Sequence, residues 1–365
     1  MSIQETIKKY LPDSTTLEMC NNLVLFEVEP EKLAEVCTDF HVRHNLPLKT
    51  VVALDERSEK GGFRIMYIFG VREKNVFIAP SLVLKDGVEF PSMTSVLPEV
   101  AFYEREIKEF FGLQPIGHPS SGRWLLHNNW PEGVYPLRKD FAWNERPEEI
   151  QKENEFAKLQ GEGVFEIPVG PVHAGIIEPG HFRFGMAGEE IISLEPRLGY
   201  VHKGVEKLFE ILPLEKKITL SEHVSGDTAF THSLAFCGAL ESLAGVTVPA
   251  RAQYLRVIFS ELERLANHIG DVGLILLGTA FNFGSSQGAR LREEVLQVHE
   301  RLTDSRFLRG VNTIGGVTKD ISNEHQAHLT QELDRIEKEF RGMMSVVDKS
   351  LIIANRLSGT GTLSM

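Results

Sequence analysis

Along the first hundred residues the apolar positions fall into short runs that take the period of a strand and of a helix in turn. LVLFEVE, from Leu23, reads as a strand, and Pro30 then opens EKLAEVCTDFHVRH, where apolar residues recur at helical spacing. TVVALDE, FRIMYIFGV and NVFIAPSLVL are three further β-rich runs, separated by the turn-like SEKGG and short polar breaks. A helix from about Leu97 to Phe111 ends at Gly112. The pattern over residues 1–120 is that of a small mixed α/β unit.

Over residues 121–164 this periodicity lapses into Pro, Trp, Asn and charge, as in RWLLHNNWPEGVYPLRKDFAW and NERPEEIQKENEF. Such a stretch reads as an extended connector whose aromatic residues lie against a domain or a partner chain, or pack as a plain loop. From Phe165 a short β-hairpin follows, FEIPVG then HFRFGMAGEEIISLEPRLG, with GMAGEE as its turn. Apolar spacing then predicts helices at about 203–212, 221–244, 250–282, 285–303 and 324–355, interrupted by the Gly-rich VNTIGGVTKD. Residues 165–365 therefore read as a hairpin leading into a helical bundle, and the whole chain as α+β. No internal repeat is present.

Composition narrows the function. A length of 365 residues suits two folded units, and 42% hydrophobic with 25% charged residues is the mix of an ordinary globular protein. A net charge of −12 argues against a surface that tracks a phosphate backbone, so no nucleic acid partner is expected. The N-terminus has no signal pattern, and the longest apolar candidate, Val272 to Phe281, is too short to span a bilayer, so membrane association has to run through a partner. Cys20, Cys37 and Cys237 form no CxxC pair and read as buried or idle thiols of a reducing compartment.

Generic motifs add little. Gly284-Ser285-Ser286-Gln287-Gly288 matches the nucleophile elbow in form, but that chemistry needs a strand before the serine and the segment before Ser286 reads as helix. No GxGxxG follows a strand and no GxxxxGKS occurs, so no nucleotide site is expected. Six histidines, His173, His181, His202, His223, His232 and His268, fall within the second unit without any zinc spacing. Singly each suits a hydrogen-bonded structural role; as a set they suit a polar interior that passes protons.

Longer motifs carry a resemblance. AFYEREIKEFFGLQPIGHP, Ala101 to Pro119, resembles the signature of the small soluble complex I subunit that partners the quinone-site subunit, and WPEGVYPLRKDF resembles that subunit's tail. GPVHAG, HFRF, LGYVHKGVEKLFE and ELERLANHIGDVG resemble the large subunit of energy-converting [NiFe] hydrogenases and its complex I homologue. The fusion in this order is similar to formate-hydrogenlyase-type large subunits.

The departures matter as much as the matches. In the hydrogenases two CxxC pairs hold nickel and iron, and Ser225 and Thr228 stand where the first pair belongs. After Cys237 there is no cysteine, so the metal is expected to be lost and no metal or cofactor to be bound by this chain. Complex I homologues carry HPxxH where this chain reads His173-Ala174-Gly175-Ile176-Ile177, and their quinone-headgroup tyrosine falls at Gly226. The resemblance still implies a proton-gating carboxylate at Glu206, with His202 beside it and Lys203 in place of the usual Arg; a helix-start salt bridge from Glu206 to a neighbouring lysine is the alternative. His173, Ser225, Asp227 and Thr228 would line the former metal or quinone cavity. His232, Arg264 and His268 would face a partner that carries an iron–sulfur cluster, with Glu261, Arg264, Asn267 and His268 largely on one helical face.

The resemblance implies an oxidoreductase subunit, peripheral on the cytoplasmic side of a membrane, beside an iron–sulfur small subunit and antiporter-like membrane subunits. The alternatives are a quinone- or NADH-dehydrogenase-type subunit with a rearranged quinone pocket, and a structural scaffold. The families continue for more residues, so a fragment, or a second chain that supplies the remaining large-subunit segment, is also expected, and an incomplete bundle would expose apolar helix faces.

Overall fold

A computed structural model describes residues 18–20, 22–71, 76–85, 87–120, 122–150, 159–171 and 179–362. By contacts the chain divides into two compact units, Met1–Ile211 and Leu212–Met365.

The first unit is built on a five-stranded sheet of order β1-β2-β5-β4-β3, from Glu18–Cys20 (β1), Leu23–Glu27 (β2), Leu48–Glu56 (β3), Gly62–Val71 (β4) and Val76–Leu84 (β5). β2 and β5 run parallel and every other pair is antiparallel. Strand β4 shows why the sheet forms: Phe63, Ile65, Tyr67, Phe69 and Val71 alternate onto one face and are all buried. Against that face lie Leu33, Val36 and Phe40 from helix α1 (Leu33–Thr38) and the turn after it. Ile107, Phe110 and Phe111 of a later helix join the same core. SEKGG, expected as a turn, forms the one-turn helix α2 (Arg57–Lys60) closed by Gly61 at φ 75°. A parallel pair of three-residue strands, β6 (Glu89–Pro91) and β7 (Gln114–Ile116), brackets helix α3 (Ala101–Phe111), which ends at left-handed Gly112.

No helix or strand occurs among the described residues of the connector before Val164; Trp124 and Trp130 are packed, whereas Trp143 is 59% exposed. Trp124 lies 4.7 Å from the Phe102 ring, and Trp130 donates Nε1–H to Val134 O at 2.9 Å. A three-stranded antiparallel sheet follows, with β8 (Val164–Val169), β9 (His181–Ala187) and β10 (Glu190–Arg197) in the order β10-β9-β8. The GMAGEE turn forms as expected, with Gly188 at φ 64°. Helix α4 (Val205–Ile211) closes the unit.

The second unit is helical: α5 (Leu214–Ser221), α6 (Ala229–Ala244), α7 (Ala250–Gly278), α8 (Asn282–Thr303), α9 (Asn323–Val347) and α10 (Leu351–Leu357). Phe230, Phe259, Leu262, Val298, Leu302 and Val311 form one core cluster, and Ala266, Ile269, Leu291, Val295 and Ile336 another. The helix expected over 221–244 is broken. The chain turns at 222–225, makes one 3-10 turn at Gly226–Thr228, and only then enters α6. The Gly-rich interruption folds into a two-stranded ribbon, β11 (Asn312–Thr313) with β12 (Gly316–Val317). Ser286 sits exposed inside α8, so no strand-to-helix elbow exists there. Gly288 instead serves helix packing, because a Cβ on it would come within 2.7 Å of Gly273 Cα on α7.

Candidate functional site

The residues singled out in the sequence fall in both units. His173 lies outside the described residues.

In the first unit the HKGVE segment is fixed beside helix α3. Gly199 has φ 92° and would bring a Cβ to 3.0 Å from Trp124 O, so glycine is required for the approach. His127 Nε2 lies 2.7 Å from Leu198 O, and its ring meets Tyr200 edge-on at 4.4 Å. His202 packs on Phe110 of α3, with ring centroids 5.0 Å apart and an interplanar angle of 31°. Lys207 donates to Arg138 O at 2.9 Å and pairs with Glu210 at 3.1 Å. Glu206 is exposed in the first turn of α4, and the lysine next to it is turned toward these other partners. A cleft of about 520 Å³ opens alongside, with Leu126, Trp130, Trp143, His202, Lys203 and Lys207 in its wall.

Helix α3 explains its own sequence. Fully buried Glu104 accepts hydrogen bonds from Ser92 Oγ (2.5 Å), Met93 N–H (2.6 Å) and Thr94 Oγ1 (2.8 Å), and so ties down the turn after β6. Glu109 accepts from the N–H groups of Trp124 (2.5 Å), Leu125 (2.9 Å) and Leu126 (2.7 Å), and so anchors the connector. Arg105 donates to Gly122 O and Arg123 O. Glu106 is left without a hydrogen-bond donor among the described residues. Its half-buried carboxyl is pushed up to about 7, by burial first and then by the negative charges of Glu206 and Glu109.

In the second unit Ser225 immediately precedes the 3-10 turn that carries Asp227 and Thr228. Asp227 Oδ1 receives Arg292 Nη2 at 2.7 Å, while its carbonyl accepts from Asn267 Nδ2 at 2.9 Å. Thr228 Oγ1 lies 3.0 Å and Thr228 O 2.9 Å from His232 Nδ1. Glu263 reaches across from α7 and accepts from Phe230 N–H (2.7 Å), Thr231 N–H (3.1 Å) and Thr231 Oγ1 (2.7 Å). A carboxylate thereby satisfies the orphan donors at the α6 N-terminus, and this cap is why the helix begins at 229. Burial pushes the Glu263 carboxyl up, against the lowering effect of those hydrogen bonds.

The structure brings Ser225, Asp227, Thr228 and His232 together around one turn. It parts the expected face of α7: Arg264 and His268 are exposed and Arg264 pairs with Glu261, whereas Asn267 turns toward the 225–228 turn. Glu106, Glu263 and Arg292 were not singled out by sequence. The first two lie within quoted motifs, EREIKEF and ELERLANH, where position alone does not say which carboxylate is structural. Cys37 and Cys237 are buried free thiols, and burial raises both, Cys237 to about 11. Among the described residues no three His, Cys, Asp or Glu side chains are placed to hold a metal ion.

Comparison with known proteins accounts for this architecture. Residues 26–147 match the family described as respiratory-chain NADH dehydrogenase, 30 Kd subunit, and residues 281–365 match its 49 Kd subunit. The chain thus carries matches to both of these complex I family models in one polypeptide, the 30 Kd model first. It is 34% identical to hydrogenase-4 component G of Escherichia coli over 93% of its own length and 62% of that protein's. It is 32% identical to formate hydrogenlyase subunit 5 of the same organism, over 92% of this chain and 60% of the relative. The fused C/D subunit of the NADH-quinone oxidoreductase of Phocaeicola vulgatus is 28% identical, over 93% and 68%. The chain thus spans about three fifths of the length of the first two relatives. In fold it is similar to a chain of the archaeal membrane-bound sulfane sulfur reductase, at TM-score 0.52 and 22% identity over 56% of this chain and 54% of that one.

Proposed function

We propose that this chain is a subunit of a membrane-associated oxidoreductase of the complex I and energy-converting hydrogenase type, and that it does not itself hold a nickel–iron centre. In this reading electrons arrive at an iron–sulfur cluster on a partner small subunit. Protonatable groups of this chain couple that arrival to proton or ion movement in antiporter-like membrane subunits, with the chain peripheral on the cytoplasmic side.

The observation that carries the reading is the 225–228 turn inside a chain homologous to hydrogenase-4 component G. No thiolate is present there: Ser225 and Thr228 offer hydroxyls, Thr228 Oγ1 lies within hydrogen-bond distance of His232, and the Asp227 carboxylate is paired with Arg292. Hydroxyl and carboxylate oxygens are poor ligands for a soft bimetallic centre that thiolates would bridge, so the residues present do not fit the metal. Tyr254, at 74% exposed, with Val257 and Ile275 on the same long helix α7, presents apolar surface of the kind that partner subunits cover. No helix among the described residues is long and apolar enough to cross a membrane, which fits attachment through such partners.

The test is to purify the native assembly through this chain, then assay metals and turnover. Iron with no stoichiometric nickel, together with electron transfer that acidifies or alkalises sealed vesicles, is the expected result. Stoichiometric nickel, or hydrogen evolution that follows the chain through purification, would overturn the proposal.

A further inference from the structure

Beside the 225–228 turn, within the second unit, lies a small cavity of about 10 Å³. Its polar wall is supplied by Asp227, Glu263, Asn267, Arg292, His299 and Arg306. Arg292 and His299 stand seven residues apart on α8 and so share one face of that helix. Each brings one buried atom that no group of the protein satisfies, and the two atoms are of opposite kind.

His299 is 1% exposed. Its Nδ1 lies 2.9 Å from Arg306 O, and because a carbonyl only accepts, Nδ1 carries the proton. In the neutral ring Nε2 is then a lone pair that needs a donor, and it makes no hydrogen bond. The nearby Leu262 carbonyl is another acceptor and cannot meet that need. Burial first, and then the positive charges of Arg292 and Arg306, oppose a second proton on the ring, against the pull of the two carbonyls.

Arg292 presents the converse. Its Nη2 donates to Asp227 Oδ1 at 2.7 Å, whereas its Nε–H is buried without an acceptor. The other polar groups of the wall are committed. Glu263 caps α6, Asn267 Nδ2 donates to Asp227 O, and Arg306 makes a two-point pair with Glu293. Arg292 Nε–H and His299 Nε2 could satisfy each other, but they are not bonded, and both unmet groups border one small space. That space calls for a molecule that accepts on one side and donates on the other. An anion cannot donate and a metal cation cannot accept; the volume is about that of a single water.

We infer that this cavity is a binding site for one internal water, which accepts from Arg292 Nε–H and donates to His299 Nε2. The bound water completes the polar layer that keeps Arg292 on Asp227, and so supports the 225–228 turn. The site does not depend on the function proposed above.

The experiment uses the full chain labelled with ¹⁵N-arginine and ¹⁵N-histidine, beside H299F, with far-UV circular dichroism as the check on folding. In the native protein His299 should be the Nδ1–H tautomer, and both Arg292 Nε–H and the His299 ring protons should show nuclear Overhauser transfer from a long-lived water. H299F, whose ring occupies the position without an acceptor, should lose the transfer to Arg292 Nε–H. A proton found on Nε2 instead of Nδ1, or no transfer from water at either side chain, overturns the site. So does a transfer to Arg292 that is undiminished in folded H299F, because it would then come from exchange with bulk solvent. The native tautomer and transfer decide the matter even where H299F does not fold.

Discussion

Arg256 and Glu241 form a two-point ion pair in the second unit, with Nη1 and Nη2 at 2.9 and 2.7 Å from the two carboxylate oxygens and both side chains more than nine-tenths buried. Arg256 also donates to Thr313 O and Gly316 O, and Glu241 accepts from Gly315 N–H. The Gly-rich ribbon is thus held by charge where it has few side chains to pack. Replacing Arg256 by Met leaves a buried, unpaired carboxylate and should cost about 3–5 kcal/mol in urea unfolding. The double replacement R256M/E241L should cost clearly less than the sum of the single changes. Arg256 holds the Glu241 carboxyl below its usual range, so the pair's contribution is present above that range and fades as pH falls through the lowered value. Additive single and double effects would refute the coupling.

The Glu263 cap gives a second prediction. Glu263→Ala removes the acceptor for Phe230 N–H, Thr231 N–H and Thr231 Oγ1 at the start of α6 and should destabilise the second unit by about 2–3 kcal/mol. Amide exchange at Phe230 and Thr231 should rise more than exchange in the middle of α6. Equal changes along the helix would mean that the cap is not local.

This cap also shows where sequence reading fell short. The strands of the first unit were legible because period-two patterns such as Phe63, Ile65, Tyr67, Phe69 and Val71 report burial on one face directly. The break before α6 was not, since its cause is a carboxylate 33 positions away in sequence. Ser225-Gly226-Asp227-Thr228 offers turn and cap residues, but which of them ends one helix and starts the next is set by that distant carboxylate. The same blindness hid Glu106 among three glutamates of one helix: only the partners of Glu104 and Glu109, supplied by segments 92–94 and 124–126, single out the one left over.

The raised carboxyl of Glu106 has a stability consequence of definite sign. An acid whose folded value lies above its usual 4.5, here about 7, binds its proton more tightly in the folded state, so stability falls as pH rises through that interval. Glu106→Gln cannot ionise and should flatten that part of the profile. Above pH 7 the variant should be the more stable by about 1–2 kcal/mol, a figure already reduced for solvent screening at a half-buried site, while below about pH 4 the two should agree. Urea unfolding of the first unit at a series of pH values measures it, and parallel profiles for the two proteins would contradict the assignment.

Helices α7 and α8 come into backbone contact at Gly273 and Gly288. A Cβ on Gly288 would stand 2.7 Å from Gly273 Cα, 3.1 Å from Gly273 N and 3.3 Å from Ile269 O, all of them backbone atoms that can yield only if the helices separate. A Cβ on Gly273 has more room, with its nearest neighbour, Gly288 Cα, at 3.3 Å. Two effects of Gly→Ala therefore compete. Alanine favours an exposed helix interior by about 0.5–1 kcal/mol over glycine, whereas forcing an extra methyl into a packed interface costs about 1–3 kcal/mol. At Gly288 the steric cost should win, giving a net loss of about 1–2 kcal/mol, and at Gly273 the two should nearly cancel. The exposed neighbour Ser286→Ala serves as the control, since it changes neither the crossing nor the buried surface and should leave stability almost unchanged. Chemical denaturation of the three variants decides the matter, and a Gly288→Ala protein as stable as the native one would show that the crossing is not as tight as these distances require.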